Sequence, residues 1–397
     1  MTRVTKMTAS TNDDVFDSGL LLRWEQKLRL VKPGRQLNAR RALLAVVLTW
    51  VPLAVVTAVQ SLVSGDESAK SFFSDFAVNA RFLMAVPALI LAEAECVPRL
   101  GRIVSHFTES GLVVEADRTR FEAAVSSTRR MLASTVGDLV MLVLVYVGVV
   151  AVVLYFSPDA VMPWHRSGAT SGFRLSPAGW WHALVSLPVF LIIFLGWLWR
   201  LALWTRFLFL VSRLNLHLIA GHPDGVGGLK FVTTSLRGFR LISFALGAVV
   251  AGSLANRQVH QGTHPLDFKN FVIGLMVFLV VLFAGPLTIF LKRLRETKRR
   301  GVFEYGALAR TVGTEFEAKW LRQKGNVDES SLEVQDFSAT TDLYSVTANV
   351  YAMREVPFTL RDLVGPIGVS AILPFVPLAL LAMPLEVILR GVVKLLF

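Results

Sequence analysis

Long apolar runs limit what this chain can fold into more than any other feature of its sequence. A helix needs about 20 mostly apolar residues to cross about 30 Å of hydrocarbon. Seven runs approach or reach that length, and we number them spans 1 to 7. They cover residues 43–63, 76–97, 135–156, 181–203, 241–256, 271–291 and 363–383. The sequence therefore predicts an all-α, polytopic membrane helical bundle of about seven spans.

The composition agrees with a membrane setting. Of the 397 residues, 53% are hydrophobic and 18% are charged, whereas an ordinary soluble domain is about 25% charged. This balance excludes a disordered chain and disfavours one soluble core. Cys96 is the single cysteine, so the chain can form neither an intramolecular disulfide nor a cysteine-based zinc or iron–sulfur site.

The basic residues alternate between the two sides of the predicted spans. The chain has a formal charge of +12, and 33 of its 41 Lys and Arg residues fall before span 1 or in alternate loops, against seven on the opposite side. The positive-inside rule then places the N-terminus in the cytoplasm and the C-terminus outside, as in a multi-pass inner-membrane protein. The charge predicts contact with anionic lipid at the cytoplasmic face. Nucleic acid is not expected, because no stacking platform or binding module accompanies the charge.

The apolar runs divide the chain into six parts. Two insertions are predicted to be helical and cytoplasmic; the longer has helices at 303–322 and 341–353 with a loop at 325–331 between them. A short surface helix is predicted around Trp24, and an amphipathic tail follows Pro384. The parts are a basic cytoplasmic segment (1–42), spans 1 and 2 (43–97), the first insertion (98–134), spans 3 to 6 with a glycine-rich cytoplasmic loop at 217–230 (135–291), a cytoplasmic lobe (292–362), and proline-rich span 7 with its tail (363–397).

Four charged residues lie within or at the end of predicted spans. Arg81, Glu93 and Glu95 belong to span 2, and Asp138 opens span 3. Ionisable groups at membrane depth are costly and usually face the bundle interior or a water-filled path. Glu93, Glu95 and Asp138 could therefore form one acidic cluster on an ion or proton pathway. Alternatively, the two glutamates are interfacial and pair with Arg99 or Arg102.

A glycine-rich loop between spans 4 and 5 is the sharpest local motif, and we call residues 221–229 the glycine loop. Its glycines permit unusual backbone angles, and amides exposed ahead of a helix could hold an anion or a lipid phosphate. The alternative is a tight turn in which Asp224 caps the next helix. His217, His222 and Asp224 could also ligate a metal, but the pattern is weak and we predict none. The residues that would bind an anion or another ligand in and beside the glycine loop are His217, His222, Asp224, Gly225, Gly227, Gly228 and Lys230.

Two other patterns have structural and functional interpretations. Histidines on the predicted outer side, with Asp267, could bind a metal or sense pH, or be unrelated; they are His165, His182, His260 and His264. Small residues recur every four positions along span 5, which lets helices approach closely. They form two adjacent ridges, Ser243, Gly247, Ala251 and Ala255, and Ala248, Gly252 and Asn256. These ridges could pack within one chain or between subunits of a homo-oligomer.

Three motifs, taken in their order along the chain, resemble those of a known family; the first lies in the glycine loop. They are His222 to Leu229 with the pattern His-Pro-Asp-x-x-Gly-Gly-Leu, Glu315 to Leu321, and Met353 to Phe358 followed by the proline-rich segment to Glu386. Together they resemble a family of uncharacterised bacterial polytopic inner-membrane proteins, from about residue 217 to the C-terminus. The resemblance implies an inner-membrane setting and no particular chemistry. It suggests that the glycine loop and residues 315–358 form one unit.

No catalytic motif stands out, so we lean against an enzyme and predict no cofactor. The charges in span 2, together with the prolines of span 7, favour passage of an ion or small solute through a channel or transporter. Two alternatives stay open. One is a membrane sensor or scaffold whose cytoplasmic lobe binds a protein partner. The other is a lipid-binding membrane enzyme that uses the glycine loop.

Overall fold

A computed structural model describes residues 15–16, 38–155, 162–165, 175–263, 265–322 and 336–382. Those residues form helices and turns without a strand, and one isolated antiparallel bridge joins Val113 to Leu216. Five of the helices are long and apolar enough to cross a membrane, and the number rises to seven if two bent helix pairs each count as one span. The predicted all-α bundle is confirmed.

Eleven helices organise the described part of the chain. They are α1 (Asn38–Ser64), α2 (Ser68–Phe73), α3 (Phe76–Glu109), α4 (Arg118–Leu132), α5 (Thr135–Tyr155), α6 (Pro177–Ser212), α7 (Lys230–Gly238), α8 (Arg240–Gln261), α9 (Lys269–Arg322), α10 (Asp336–Ala352) and α11 (Leu360–Ala379). Helices α4 and α5 meet at a bend of 45°, and α7 and α8 at a bend of 41°.

The helices extend beyond the apolar runs that predict them. Span 2 continues as α3 to Glu109, and span 6 continues as α9 to Arg322. The helix predicted at 303–322 is therefore the end of α9, because backbone hydrogen bonding continues where apolar residues stop. The second helix of the lobe, α10, begins before its predicted start at residue 341. The loop at 325–331, the surface helix around Trp24 and the tail after Pro384 lie outside the described residues.

Helices α3 and α8 form the centre of the bundle. A Cβ built on Gly252 of α8 would lie 2.6 Å from the Cβ of Ala80 in α3. A Cβ on Gly247 would lie 2.1 Å from the carbonyl oxygen of Ala371 in α11. Both distances are shorter than any side chain tolerates, so glycine lets these backbones touch. The glycines of the two span 5 ridges thus serve packing within the chain, one toward span 2 and one toward span 7.

Two of the long helices lose regular α-helical geometry just before a proline. A π-helical turn at Ala80–Ala85 precedes Pro87 in α3, and another at His182–Ser186 precedes Pro188 in α6. Proline lacks the N–H that would bond to the carbonyl four residues earlier, and π-turns often occur at functional sites. Both irregular turns therefore lie close to the N-terminal ends of their helices, each just before a proline.

The second half of α9 and all of α10 form an antiparallel hairpin. Gly301 of α9 lies against Val350 of α10, and the ring of Phe316 lies against that of Phe337. Helix α9 is about 80 Å long at 1.5 Å per residue, and its last buried residue is Gly301. Past this point the hairpin packs on itself among the described residues. It therefore extends away from the bundle.

Candidate functional site

Three charged side chains meet where α1, α3 and α6 pack together. The two carboxylate oxygens of Glu93 each accept a hydrogen bond from an arginine, Arg41 Nη1 at 2.7 Å and Arg200 Nη1 at 2.8 Å. The side chains of Arg41, Glu93 and Arg200 are only 4%, 17% and 7% exposed. We call these three residues the Glu93 cluster. Removing one partner of such a buried group leaves an uncompensated charge.

An aromatic residue holds the Glu93 cluster in place on α6. The Arg200 guanidinium lies over the Trp197 ring, 5.1 Å from its centroid. The indole Nε1 of Trp197 donates to the carbonyl oxygen of Leu89 at 2.9 Å. Cation–π contact and this hydrogen bond fix the arginine relative to α3. The cluster is therefore rigidly built.

Glu95 has its own arginine partners, so the predicted acidic cluster does not form. Its carboxylate accepts hydrogen bonds from Arg99 at 3.0 Å, one turn along α3, and from Arg240 at 2.8 Å. The pairing with Arg99 is the alternative that the spacing predicts. Asp138 lies in the first turn of α5, whereas the bonds of both glutamates described above go to arginines.

A second polar group lies toward the opposite end of α3 and α6, beginning with Asp75. This carboxylate is buried and caps α3, accepting from the backbone N–H of Val78 at 3.1 Å. Asn256 Nδ2 donates to the same oxygen at 2.8 Å, and Trp164 Nε1 donates to the other at 3.1 Å. Both oxygens of Asp75 are thus occupied by neutral donors.

Two histidines extend this group. His165 Nε2 and His182 Nδ1 share a hydrogen bond of 3.3 Å, and His182 is the first residue of the π-turn in α6. Burial lowers the pKa of His165 to about 4, the nearby Asp75 carboxylate opposes this shift, and the charge of Arg81 adds to it. His165 is therefore neutral near pH 7. It also lies within electrostatic reach of both Asp75 and Arg81.

Arg81 completes what we call the Arg81 cluster, namely Asp75, Arg81, His165 and His182. Its guanidinium lies 5.6 Å from the centroid of the Phe190 ring. Its Nε is buried, and among the described residues it has no hydrogen-bond acceptor. Nor does any described carboxylate lie within 4 Å as a salt-bridge partner. Arg41 and Arg200, by contrast, each have the Glu93 carboxylate as a salt-bridge partner.

Sequence reasoning identified Arg81 and Glu93 but missed most of their neighbours. Arg41 and Arg200 were counted with the basic flanks of spans 1 and 4, and Asp75 lies just outside span 2. One signal could have found them. Oppositely charged residues at matching depths of adjacent spans are expected to pair.

The glycine loop is occupied by one of its own side chains. The carboxylate of Asp224 accepts from the backbone N–H groups of Val226 at 2.9 Å, Gly228 at 3.1 Å and Lys230 at 3.0 Å. Burial favours a higher pKa for Asp224, but these three bonds and His222 outweigh it and lower the pKa below its usual value. The positive φ of Gly228, 95°, lets the loop curl around the carboxylate. The amides predicted to hold an external anion are therefore engaged by Asp224.

The glycine loop also joins the bundle to the hairpin. The backbone N–H of Arg354, just after α10, donates to the carbonyl oxygen of Gly225 at 2.8 Å. Lys230 Nζ pairs with Asp362 Oδ2 at the start of α11 at 2.6 Å. A Cβ on Gly227 would contact Met353. His217 lies outside this junction, with an exposed side chain and a backbone N–H bonded to the carbonyl oxygen of Leu112. The loop thus serves as a structural junction.

The metal sites that the sequence left open as alternatives were sought among the described residues. No group of three or more His, Cys, Asp or Glu side chains among them is arranged to hold a metal ion. His260 is exposed and pairs through Nδ1 with the carbonyl oxygen of Asn256 at 3.2 Å. His264 lies outside the described part of the chain.

Comparison of the chain with protein-family models, with curated proteins and with solved structures found no match. The function proposed below is therefore inferred from the geometry of the Glu93 cluster and the Arg81 cluster.

Proposed function

We propose that this chain is a multi-pass protein of the bacterial inner membrane that passes an ion or small polar solute, as a channel or transporter. Its N-terminus is in the cytoplasm and its C-terminus outside. The distribution of Lys and Arg supports this orientation. Lys292 and Arg299, exposed just beyond the apolar part of α9, suit contact with anionic lipid.

The observation that carries the proposal is the presence of two polar clusters inside the bundle on the same two helices. Arg81 and Glu93 are separated by 12 positions of α3, or about 18 Å along a helix axis. On α6, His182 contacts Phe82, which directly follows Arg81, and Arg200 bonds to Glu93. Ionisable groups at such depth are costly, and in membrane proteins they commonly mark substrate or ion pathways.

Apolar side chains separate the two clusters. Phe82, Leu89 and Trp197 lie between them and are at most 1% exposed. The arrangement suits a closed state, in which the Glu93 cluster joins three helices at one end of the path. Passage then requires these ion pairs to separate, so weakening them is expected to change the rate of passage.

A current measurement tests this proposal directly. The full-length protein is reconstituted in liposomes and exposed to concentration jumps of sodium chloride, sodium phosphate and sodium acetate. We expect a protein-dependent current with at least one of them, and a changed current in Glu93→Asp, which keeps the charge but shortens the side chain. The matched control is Glu95→Asp, which alters the neighbouring glutamate, paired with Arg99 and Arg240 outside the Glu93 cluster, and is expected to leave the current unchanged. Absence of current with all three salts, in both the unaltered protein and Glu93→Asp, would contradict the proposal.

A second candidate function is a scaffold that binds a protein partner through the hairpin. Large apolar side chains are exposed there, including Phe303 and Leu321 at 71% each and Tyr351 at 56%. Leu321 lies about 45 Å of helix beyond Leu291, out of reach of the bilayer, so a lipid surface does not explain it. Exposed apolar side chains of this kind are typical of protein–protein contacts.

Photo-crosslinking in intact cells tests the scaffold. A photoreactive residue replaces Leu321 in one variant and the polar Lys292 in a matched control. The scaffold function predicts one recurrent protein adduct at position 321 that is absent at 292, and crosslinking from the identified partner back to the hairpin. Failure of the reciprocal crosslink would rule against it.

A further inference from the structure

We propose that the Arg81 cluster is a binding site for a small oxyanion, a carboxylate or a phosphate, held by the guanidinium of Arg81 beside the His165–His182 pair. The site would define the class of substrate that passes, and only this part of the inference rests on the proposed function. Binding itself can be measured separately.

The first argument is the unsatisfied charge of Arg81. A charged group taken out of water is costly unless it is paired and hydrogen-bonded. Arg41 and Arg200 each bond to the carboxylate of Glu93, whereas no described carboxylate lies within salt-bridge distance of Arg81, whose buried Nε also has no described acceptor. A guanidinium presents a planar fork of donors that matches the two oxygens of a carboxylate or phosphate. An oxyanion therefore supplies what Arg81 lacks.

The second argument is that the nearest acid is already committed. The carboxylate of Asp75 is fixed by Val78, Asn256 and Trp164. Its bonds hold it at the end of α3, so Arg81 keeps a positive charge that the chain does not neutralise by contact. The donors of the Arg81 guanidinium are therefore left for a ligand that brings oxygen acceptors.

The histidine pair adds a polar group that is free to meet a ligand. His165 and His182 use one ring nitrogen each for their shared hydrogen bond, and His182 Nε2 is buried without a partner in the described part of the chain. The ring of His182 lies edge-on to that of Phe82, which directly follows Arg81, at 5.8 Å between centroids. The imidazole can thus donate a hydrogen bond to the ligand or accept one from its hydroxyl.

The backbone favours a site at this position as well. Arg81 and His182 both lie in π-helical turns, one in α3 and one in α6. A π-turn alters the direction of the side chains it carries, and such turns are frequent at functional sites. By contrast, Glu93 and Arg200 lie in regular α-helix. On these two helices the irregular turns therefore occur at the end that carries the Arg81 cluster.

Two sources can supply the oxyanion, a free solute or the phosphate of a lipid headgroup, because Arg81 is near one end of α3. Purified full-length protein separates them. Isothermal titration with sodium phosphate and sodium acetate measures the free anions, and native mass spectrometry measures retained phosphatidylglycerol. The variants are Arg81→Gln and Arg81→Lys, with Arg99→Gln as the matched control, since Arg99 lies on the same helix and pairs with Glu95.

We expect Arg81→Gln to weaken the binding of at least one of these oxyanions by tenfold or more. Arg81→Lys, which keeps the charge but loses the fork, is expected to have an intermediate effect, and it provides the test if Arg81→Gln fails to fold. Arg99→Gln is expected to bind like the unaltered protein. Loss of phosphate or acetate binding identifies a free solute, and loss of retained phosphatidylglycerol alone identifies a headgroup. Equal binding of all three probes by the Arg81 variants and the unaltered protein would overturn the inference.

The two proposals fail in different ways. Oxyanion binding without any current in liposomes would contradict passage and leave the site standing. A current that Arg81→Gln and Arg81→Lys do not alter, with no loss of binding, would contradict the site and leave passage standing.

Discussion

The two ends of α3 and α6 carry similar residue types, but the partners of those residues differ. In the Glu93 cluster, one carboxylate holds two arginines at 2.7 and 2.8 Å. In the Arg81 cluster, the acid is tied to neutral donors, and the arginine has no acceptor among the described residues. Charge inside an apolar bundle is therefore a weak guide to function by itself. Whether the charge is satisfied by the chain separates a structural group from a candidate binding group.

The largest expected effect comes from breaking the satisfied end. Glu93→Gln leaves Arg41 and Arg200 buried without their carboxylate, which typically costs about 3–5 kcal/mol. We expect a large drop in folded yield and in the unfolding temperature of the detergent-purified protein. Arg81 has no salt bridge among the described residues and interacts with Asp75 only through a longer-range charge effect, so Arg81→Gln is expected to lower the unfolding temperature much less when no anion is added. Equal destabilisation by the two variants would remove the distinction between the ends.

The next effect concerns the packing that positions the Arg81 cluster. In Gly252→Ala, the new Cβ would lie 2.6 Å from the Cβ of Ala80 and 2.7 Å from the carbonyl oxygen of Phe76. Overpacking of this kind costs about 1–3 kcal/mol. The control is Gly274→Ala, where nothing lies within 4 Å, and where alanine is expected to stabilise the helix by about 1 kcal/mol. Thermal unfolding of the two variants should shift in opposite directions, and a matching shift would contradict the close approach of α3 and α8.

The glycine loop extends the comparison to a third region, where an acid satisfies backbone amides. Asp224→Asn removes the charge and turns an NH₂ group toward N–H donors, which is expected to cost about 1–3 kcal/mol. His222→Gln is a fitting control, because His222 is 40% exposed and contributes one contact to Asp224. Chemical unfolding curves should show the larger loss for Asp224→Asn. If that variant is as stable as the unaltered protein, the amides do not depend on the carboxylate.

The smallest effect is a pH dependence at the unsatisfied end. Burial lowers the pKa of His165 from 6.5 to about 4, so the folded state binds fewer protons than the unfolded state between these values. The stabilisation from the neutral imidazole is complete above pH 6.5 and is lost as pH falls toward 4. Asp224, whose pKa is lowered from 3.8, loses its contribution only below about pH 4.

Unfolding temperatures between pH 7 and pH 4 check this sign. We expect a decline for the unaltered protein and a flatter profile for His165→Gln. The exposed His260 provides a control, and His260→Gln should follow the unaltered protein. A profile that rises toward pH 4 would show that His165 is stabilised in its charged form.

The fold was predictable because apolar runs of span length leave few alternatives. The ends of the helices were less predictable, because α3 and α9 continue as helices well past residues 97 and 291, where the sequence becomes polar. The pairing of Glu95 with Arg99 follows from spacing along one helix. Contacts between helices do not, because Arg41 and Arg200 reach Glu93 across 52 and 107 residues of sequence.

The glycine loop shows a similar limit. Its sequence allowed both an anion site and a turn capped by Asp224, and only the folded loop shows the carboxylate on the amides of Val226, Gly228 and Lys230. The Arg81 cluster depends on three separate segments that meet through packing: the start of α3, residues 163–165 and the start of α6. Sequence periodicity carries no information about such meetings.

The effect of an oxyanion on stability tests the central contrast most directly. A ligand that binds only the folded state raises its unfolding temperature. We predict that sodium phosphate or sodium acetate, relative to sodium chloride at equal ionic strength, raises the unfolding temperature of the unaltered protein and of Arg99→Gln. Arg81→Gln should not respond. An equal rise in Arg81→Gln, or no rise in the unaltered protein with either anion or with added phosphatidylglycerol, would contradict the account.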